Sequence, residues 1–462
     1  MTDLETDVAI IGAGSAGLRA YRAAAAHTDR VLLIEGGAYG TTCASVGCMP
    51  SKLLIAAADA AHTAHHADSF GVHAGSVEIN GAEVMERVRN LRDRFVSGVV
   101  GNTEKIPAER RIHGYARFED AQTLRLDDGR RIRAGRTVIA TGSRPNVLPM
   151  FKDLGDRAVV NDDLFEWRDL PESVVVFGPG VIGMELGQAL HRLGVRVRIF
   201  GIGGFLGPLT DPRVKDAAEE IFGDELALDT DAQVESLHRE GDEVVVRFRD
   251  KSGTEVEERF AYLLAATGRR PNVDGLSLEA TGLRLDDNGV PLFDPYTMQC
   301  GDQPIFIAGD ANNEHPVMPD AFDEGEIAGS NAGRYPSVER GRRHPPMSIV
   351  FTEPQMALVG ARYADLPDTD HAVGELDYAA QPRAIVMGEN HGVMRLYGRP
   401  SDGAFLGAEV LGPRAEHLGH LLAWAVDSGM TVERMLDLPY YHPVLETSIR
   451  NALQDLQRKM KA

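Results

Sequence analysis

Residues Val8 to Glu35 read VAIIGAGSAGLRAYRAAAAHTDRVLLIE. An unbroken apolar run, a glycine turn, a stretch with apolar residues at helical spacing and a second apolar run predict strand, turn, helix and strand, a βαβ unit. Gly12, Gly14 and Gly17 form G-x-G-x-x-G between strand and helix, where absent side chains let a pyrophosphate approach backbone N–H groups at the helix N-terminus. Glu35 closes the second strand and is placed to accept ribose hydroxyl hydrogens. The glycines alone would predict only a turn; strand, glycines, helix and acid in that order predict a dinucleotide site.

The pattern repeats in the same register from Val174 to Gly201, VVVFGPGVIGMELGQALHRLGVRVRIFG, with Gly178, Gly180 and Gly183 as the second fingerprint. Two dinucleotides are therefore expected. In this copy the counterpart of Glu35 is Gly201, so no acid awaits a 2′-hydroxyl, and no arginine stands there for a 2′-phosphate. Arg198 lies on the strand itself, and the choice between NAD and NADP is not read by the ribose-acid rule. Strand-like stretches closing on turns, TVIATGSRPN (137–146) and LLAATGRRPN (263–272), place boundaries near 147 and 272. IFIAGDANN (305–313) is a buried strand ending in Gly309 and Asp310, a carboxylate placed either against a bound polyol or as the cap of a turn. From about Pro345, strands such as SIVF and GAFLGAEVLG followed by helices suggest a third, α+β domain.

Composition agrees with this multidomain reading. A chain of 462 residues exceeds what one core supports, and 43% hydrophobic with 25% charged residues is ordinary for a globular protein. No run approaches the ~18 apolar residues of a membrane span. Asp plus Glu number 69 against 48 Lys plus Arg, and the formal charge of −21 repels nucleic acid and anionic lipid. MTDLETDVAI lacks a basic segment ahead of its apolar run, so a cytoplasmic protein is expected.

Only three cysteines occur, too few for a disulfide scaffold, yet two fall within TTCASVGCMPSK (41–52) just after the first βαβ unit. On a regular helix Cys43 and Cys48 would point roughly 140° apart, so joining them needs distorted backbone, which Gly47 and Pro50 help to provide. The pair reads either as a redox disulfide beside a flavin or as two buried structural thiols. Cys300 in YTMQC has no cysteine neighbour and reads as a buried thiol.

The motif C-x4-C-x-P-S-K, the paired glycine fingerprints, the two ATG segments, Gly309-Asp310 and the late His-Pro together resemble the flavoprotein disulfide reductases, the class I pyridine nucleotide-disulfide oxidoreductases, and among them most closely the dihydrolipoyl dehydrogenases. The resemblance covers essentially the whole chain. It implies an α/β fold with two Rossmann-like domains, for FAD and NAD(P), and a C-terminal α+β dimerisation domain. The implied boundaries are 1–147 for FAD, 148–272 for NAD(P), 273–344 for a central domain completing the FAD site and 345–462 for the homodimer interface. It implies that Cys43 exchanges with a dithiol substrate while Cys48 lies by the flavin as a charge-transfer thiolate. Lys52 matches the family lysine near the flavin ring and Glu185 the acid that pairs with it. Cofactor contacts are implied at Gly12, Gly14, Ser15, Ala16, Gly17, Glu35, Gly36, Thr42, Lys52, Ala116, Thr141, Gly142, Gly178, Gly180, Val181, Ile182, Gly183, Glu185, Gly268, Arg269, Gly309, Asp310 and Ala321.

Thiol exchange needs a base, and an imidazole titrates in the useful range. His442 in PYYHPVLETS is the candidate. The resemblance places it across the dimer interface, facing the partner's disulfide and held by a glutamate five residues on. That position is Thr447 here, with Glu446 one residue earlier as the candidate replacement. A second departure is Pro319 within MPDA, where the family often carries a histidine. Asp59, His62, His65 and His66 share helical spacing that could gather ligands, but a solvated helix face near the substrate entrance is the expectation, and no metal is assigned. The activity expected is oxidation of a dihydrolipoyl dithiol on a carrier protein or acyltransferase, with hydride transfer to NAD(P)+ through Cys43 and Cys48. The alternatives are another disulfide substrate of the glutathione or mycothione kind, or a docking subunit with weak turnover. The absence of extra C-terminal cysteines disfavours a mercuric reductase, and the cysteine pair disfavours a transhydrogenase.

Overall fold

The computed structural model describes residues 4–461. The chain gathers into two units that interleave along the sequence. One comprises residues 1–50, 88–146 and 269–344, the other 51–87, 147–268 and 345–462.

The first unit is built on β1 (Leu4–Ile11), α1 (Ser15–Ala25) and β2 (Val31–Glu35). β1 runs parallel to β2 on one side and to the strand Arg131–Ile139 on the other. Val8, Ala9 and Ile10 are fully buried, which is why β1 reads as a continuous apolar run rather than an alternating one. Arg131–Ile139 is shared lengthwise. Its first residues pair antiparallel with Thr123–Leu126, and its last, Thr137 to Ile139, pair parallel with Ile305–Ile307. On one face of the sheet, α1 packs against the helix Met318–Arg334 with backbones nearly touching. A Cβ on Gly325 would lie 2.4 Å from Ala16 O, and one on Gly329 would lie 2.2 Å from Ala20 O. The opposite face is covered by Phe118, Leu124, Val273 and Leu278.

In the second unit the strands run Ala227–Asp229, Arg196–Phe200, Ser173–Phe177, Tyr262–Ala265 and Ala158–Val159 in one parallel sheet. A three-stranded antiparallel sheet, Gln233–Glu240, Glu243–Arg249 and Glu255–Phe260, contributes Phe248, which meets Phe200 edge-on at 4.9 Å. Residues from Pro345 onward form a five-stranded antiparallel sheet in the order Met347–Val350, Gln355–Gly360, Phe405–Gly412, Val393–Gly398, Ala372–Asp377. The helices Ala415–Asp427 and Thr447–Met460 bury Leu418, Leu422, Ile449 and Leu453 against it. The α/β class with a C-terminal α+β domain follows from these sheets.

Candidate active site

The first glycine turn has the stereochemistry its sequence demands. Gly12 holds φ +108°, and a Cβ there would lie 2.2 Å from Ala140 O; a Cβ on Gly17 would lie 1.9 Å from Gly12 O. Gly14, the N-cap of α1, faces open space instead, so a ligand can approach the first-turn N–H groups of Ser15, Ala16 and Gly17, which have no intrahelical partner. Glu35 is fixed across this turn, with Oε2 accepting from Ala13 N (2.7 Å) and Oε1 from Gly37 N (2.8 Å). The Tyr115 ring, next to Ala116, lies against Gly36, 2.4 Å from where a Cβ would stand.

After Arg131–Ile139 come Thr141, whose buried hydroxyl has no hydrogen-bond partner, and Gly142 at φ +67°. An orphaned hydroxyl, an open helix N-terminus and a fixed acid are what the FAD expected here requires, so the residues fit it. Asp310 Oδ2 accepts from Ser143 Oγ (2.6 Å), and Ser143 Oγ accepts in turn from Arg269 Nε (2.8 Å). The Gly309–Asn312 turn is held from beneath by fully buried Glu324. Its Oε2 accepts from Gly309 N and Asn312 Nδ2, each at 2.7 Å, and its Oε1 from Arg343 Nη1 at 2.6 Å. Burial, more than any other influence, raises the Glu324 carboxyl above its ordinary range. Gly309 and Ala321 pack together, 3.3 Å from a Cβ on Gly309 to that of Ala321, and Pro319 occupies the first turn of its helix.

The two cysteines sit on separate helices, Cys43 within α2 (Thr42–Ser45) and Cys48 at the start of α3 (Cys48–His66). The backbone between them breaks helical geometry at Val46 (φ −138°, ψ 8°), and Gly47 closes the turn. A Cβ on Gly47 would lie 2.9 Å from Thr42 O and 3.3 Å from Cys43 Cα. Thr41 is held at φ 49°, ψ 141°, an unfavourable conformation for a β-branched residue, and its hydroxyl accepts from Ala44 N. Cys43 is half-buried and Cys48 exposed, whereas Cys300 is fully buried and burial pushes its thiol far above the ordinary range. Only the first two can meet a substrate.

In the second unit the second fingerprint repeats the first. Gly178 at φ +107° approaches Ala266 O, and Gly183 approaches Gly178 O. Gly180 caps the helix Val181–Arg192, which carries Ile182 and buries Glu185. Lys52 Nζ donates to Glu185 Oε1 and Oε2 (2.9 and 2.8 Å) and stands 4.4 Å above the Phe351 ring, while Phe351 N donates to Glu185 Oε1 (3.0 Å). Gly268, at φ +88°, ends the segment that began at Leu263. Arg198, in the middle of the strand Arg196–Phe200, pairs with Glu258 (2.6 Å).

The same helix α3 carries Asp59 and His62 toward Arg192, which is paired with Glu225 and Glu353, each at 2.6 Å. Burial first and the Arg192 charge second hold the His62 imidazole below its ordinary range. His66 stacks on His62 at 4.0 Å and His65 is exposed, and among the described residues no three His, Cys, Asp or Glu side chains converge to hold a metal.

His442 is exposed and lines a cavity of about 480 Å³ with Tyr441, Thr447 and Arg450. Glu446 opens onto a different cavity, of about 370 Å³, with Trp424 and Met435. The two are not hydrogen-bonded to each other. Thr447 donates to Val444 O (2.8 Å) and accepts from Gln381 Nε2 (3.1 Å), so its hydroxyl is engaged with its own domain. The sequence offered no sign of Ser143, Glu324 or Arg343. Buried partners of a turn are revealed by burial, which no local motif encodes.

Residues 6–325 match the pyridine nucleotide-disulphide oxidoreductase family, and residues 347–453 match its dimerisation domain. The chain belongs to that family, as a dihydrolipoyl dehydrogenase-like flavoprotein oxidoreductase using FAD and NAD(P). Among its relatives, a dihydrolipoyl dehydrogenase from Geobacillus stearothermophilus is 31% identical, over 96% of this chain and 94% of the relative. One from Halobacterium salinarum is 32% identical over 97% and 96%. The structure of LpdA from Mycobacterium tuberculosis matches with a TM-score of 0.83 at 26% identity, over 97% of this chain and 99% of that one. The HOCl-induced flavoprotein disulfide reductase RclA from Escherichia coli shares the fold, with a TM-score of 0.80 at 23% identity over 97% and 99%. The dimerisation domain supports a homodimer, and among the described residues no helix is long and apolar enough to cross a membrane.

Proposed function

We propose that this chain oxidises the dithiol of a protein-bound dihydrolipoyl group to the disulfide while NAD(P)+ gains a hydride, one proton being released. The observation that carries the reading is the turn at Gly47, which brings the segment after Cys43 back against it just before Cys48. The name shared by relatives that cover nearly the whole chain supports the dithiol as lipoyl. In this reading residues 1–147 and 273–344 hold FAD, 148–272 the nucleotide, and 345–462 the partner protomer.

Each thiol does different work. Cys43, exchanging with substrate, forms the mixed disulfide as Cys48 leaves as thiolate; the second substrate thiol then attacks, releases the lipoyl disulfide and leaves both cysteines reduced. His442, supplied by one protomer to its partner's cysteines, takes the proton from the attacking dithiol. FAD, held by the residues of the first fingerprint, would supply the two-electron carrier between the reduced cysteines and the nicotinamide. Lys52 holds positive charge at a fixed point because Glu185 grips it with both oxygens.

The absence of a carboxylate on His442 favours a second reading, in which lipoyl turnover is weak and another disulfide, or docking alone, is the role. Initial rates with dihydrolipoamide, NAD+ and NADP+ being compared on FAD-loaded protein, separate the two. Turnover with either nucleotide supports the dihydrolipoyl assignment, and none with both transfers the case to the second reading.

A further inference from the structure

The second fingerprint lacks its ribose acid for a steric reason. A Cβ on Gly201 would lie 2.6 Å from Pro179 Cγ and 2.8 Å from Thr230 O. No acidic side chain fits at the end of this strand. The chain instead forms a fixed loop beside the glycine turn. Gly201 N donates to Asp229 O (2.7 Å), Ala232 N donates to Gly201 O (3.0 Å), and Gly207 N donates to Pro179 O (2.8 Å). The Phe205 ring stands 3.6 Å from where a Gly180 Cβ would be, so the loop borders the helix N-terminus where the pyrophosphate is expected. Farther along, Thr210 N and Asp211 N donate to the buried Glu409 carboxylate (2.7 and 2.9 Å), which anchors the far end.

One carboxylate does reach this loop. Gly203 N, at φ +66°, donates to Asp231 Oδ1 at 2.7 Å, and Asp231 comes from the turn after the neighbouring strand Ala227–Asp229. Asp231 is exposed, and among the described residues its carboxylate forms no ion pair. We propose that Asp231 takes over recognition of the adenosine ribose from the position that Gly201 leaves vacant and sets the nucleotide preference to NAD(H) over NADP(H). Its Oδ2 remains available to accept a 2′-hydroxyl hydrogen, whereas a 2′-phosphate would bring two like charges beside it. The competing group is Lys215, whose Nζ is 3.8 Å from the Gly204 Cβ position. Asp231 is fixed by a backbone hydrogen bond, while Lys215 sits on a flexible four-carbon stem, and the fixed charge dominates selectivity.

The proposal rests on the assignment of this fingerprint to the nicotinamide nucleotide, and its test separates the two. The holoenzyme is titrated anaerobically with NADH and with NADPH, with bleaching of the flavin absorbance as readout. Half-saturation at an NADH concentration about tenfold below that for NADPH is expected, a difference of about 1.4 kcal/mol. Asp231→Asn keeps an oxygen for Gly203 N and removes the charge, so the preference should shrink about tenfold, with flavin content and melting temperature as controls for folding. Lys215→Ala should leave the ratio within about twofold of the wild type. A wild-type preference for NADPH, or an unchanged ratio in Asp231→Asn, would overturn the role of Asp231. A collapse of NADPH use in Lys215→Ala alone would assign recognition to the lysine instead. If neither nucleotide bleached the flavin, the assignment of the second fingerprint would fall and the proposal with it.

Discussion

Replacing Glu324 should loosen FAD by releasing the Gly309–Asn312 turn, without removing any side chain expected to contact it. The carboxylate is fully buried and serves three donors: Gly309 N, Asn312 Nδ2 and the Arg343 guanidinium, at 2.6–2.7 Å. Glu324→Ala strands all of them, and breaking a buried pair of this kind costs about 3–5 kcal/mol. The three losses are not independent, so they do not add. Because the Arg343 side chain keeps 16% exposure, water recovers part of its loss and the lower half of that range is expected. Glu324→Gln retains one acceptor oxygen but turns an NH2 group toward a donor, and a cost of about 1–3 kcal/mol follows. At about 2–4 °C per kcal/mol for a domain of this size, the about 3–4 kcal/mol expected for Glu324→Ala should lower the melting transition by about 6–16 °C, with Glu324→Gln between it and the wild type. The assay is a thermal ramp following flavin fluorescence, which rises as FAD leaves the protein. The displacement should exceed that of a half-exposed control on the same helix such as Glu326→Ala. If Glu324→Ala released flavin at the wild-type temperature, the turn bearing Asp310 would not depend on its buried carboxylate, and the reasoning from burial and hydrogen bonding would fail.

Three further outcomes are expected. Gly201→Ala should destabilise the protein by about 1–3 kcal/mol in urea unfolding, because the added methyl meets Pro179 and Thr230 O; an unchanged midpoint would refute the steric account of the missing acid. Cys48→Ser should abolish electron transfer from dithiol to nucleotide while flavin stays bound, and wild-type turnover would rule out the disulfide mechanism. Burial raises the Glu225 carboxyl, but the Arg192 guanidinium and Gln188 amide outweigh it and hold the group below its ordinary range. A depressed folded value means that its stabilisation is present above the ordinary carboxylate range and is lost as pH falls through the folded value. Glu225→Gln should therefore reduce stability at neutral pH and flatten the acid limb of a denaturation midpoint plotted against pH; a parallel acid limb would contradict the assignment.

Both βαβ units were legible in the sequence because their glycines are required by backbone contact. At Gly12, Gly17, Gly178 and Gly183 a single added carbon collides with a carbonyl oxygen, so local sequence and local geometry imply one another. Lys52 and Glu185 were legible only by resemblance, since 133 residues separate the donor from its acceptor and no periodicity connects them. Glu324 was not legible at all: in sequence it is one acid among many on a polar helix, and only the sheet turn folded above it makes it a buried acceptor. Asp231 escaped for a related reason. The ribose-acid rule looks at the end of one strand, while the carboxylate that reaches the loop comes from the turn after the next strand of the sheet. Glu446 shows the converse. One residue of sequence offset from Thr447 becomes a different cavity in space, because at the start of a helix successive side chains diverge by about 100°.

The short strands Ser143–Pro145 and Arg269–Pro271 pair antiparallel, with Ser143 opposite Pro271. Asn272 N donates to Gly142 O (2.9 Å), and Arg144 reaches Asn272 and Asp274. Thus the chain leaves the first unit after 146 and re-enters it at 269 through a fastened gateway. Everything from 147 to 268 is a detour whose two ends are already joined, so the entropy of closing that long loop is met by a local pairing and does not fall on the detour's own core. Such an insertion can lengthen or shorten without altering the register of the strand pair that closes it. The gateway makes residues 147–268 a replaceable cassette, free to change within while its two joined ends keep their place.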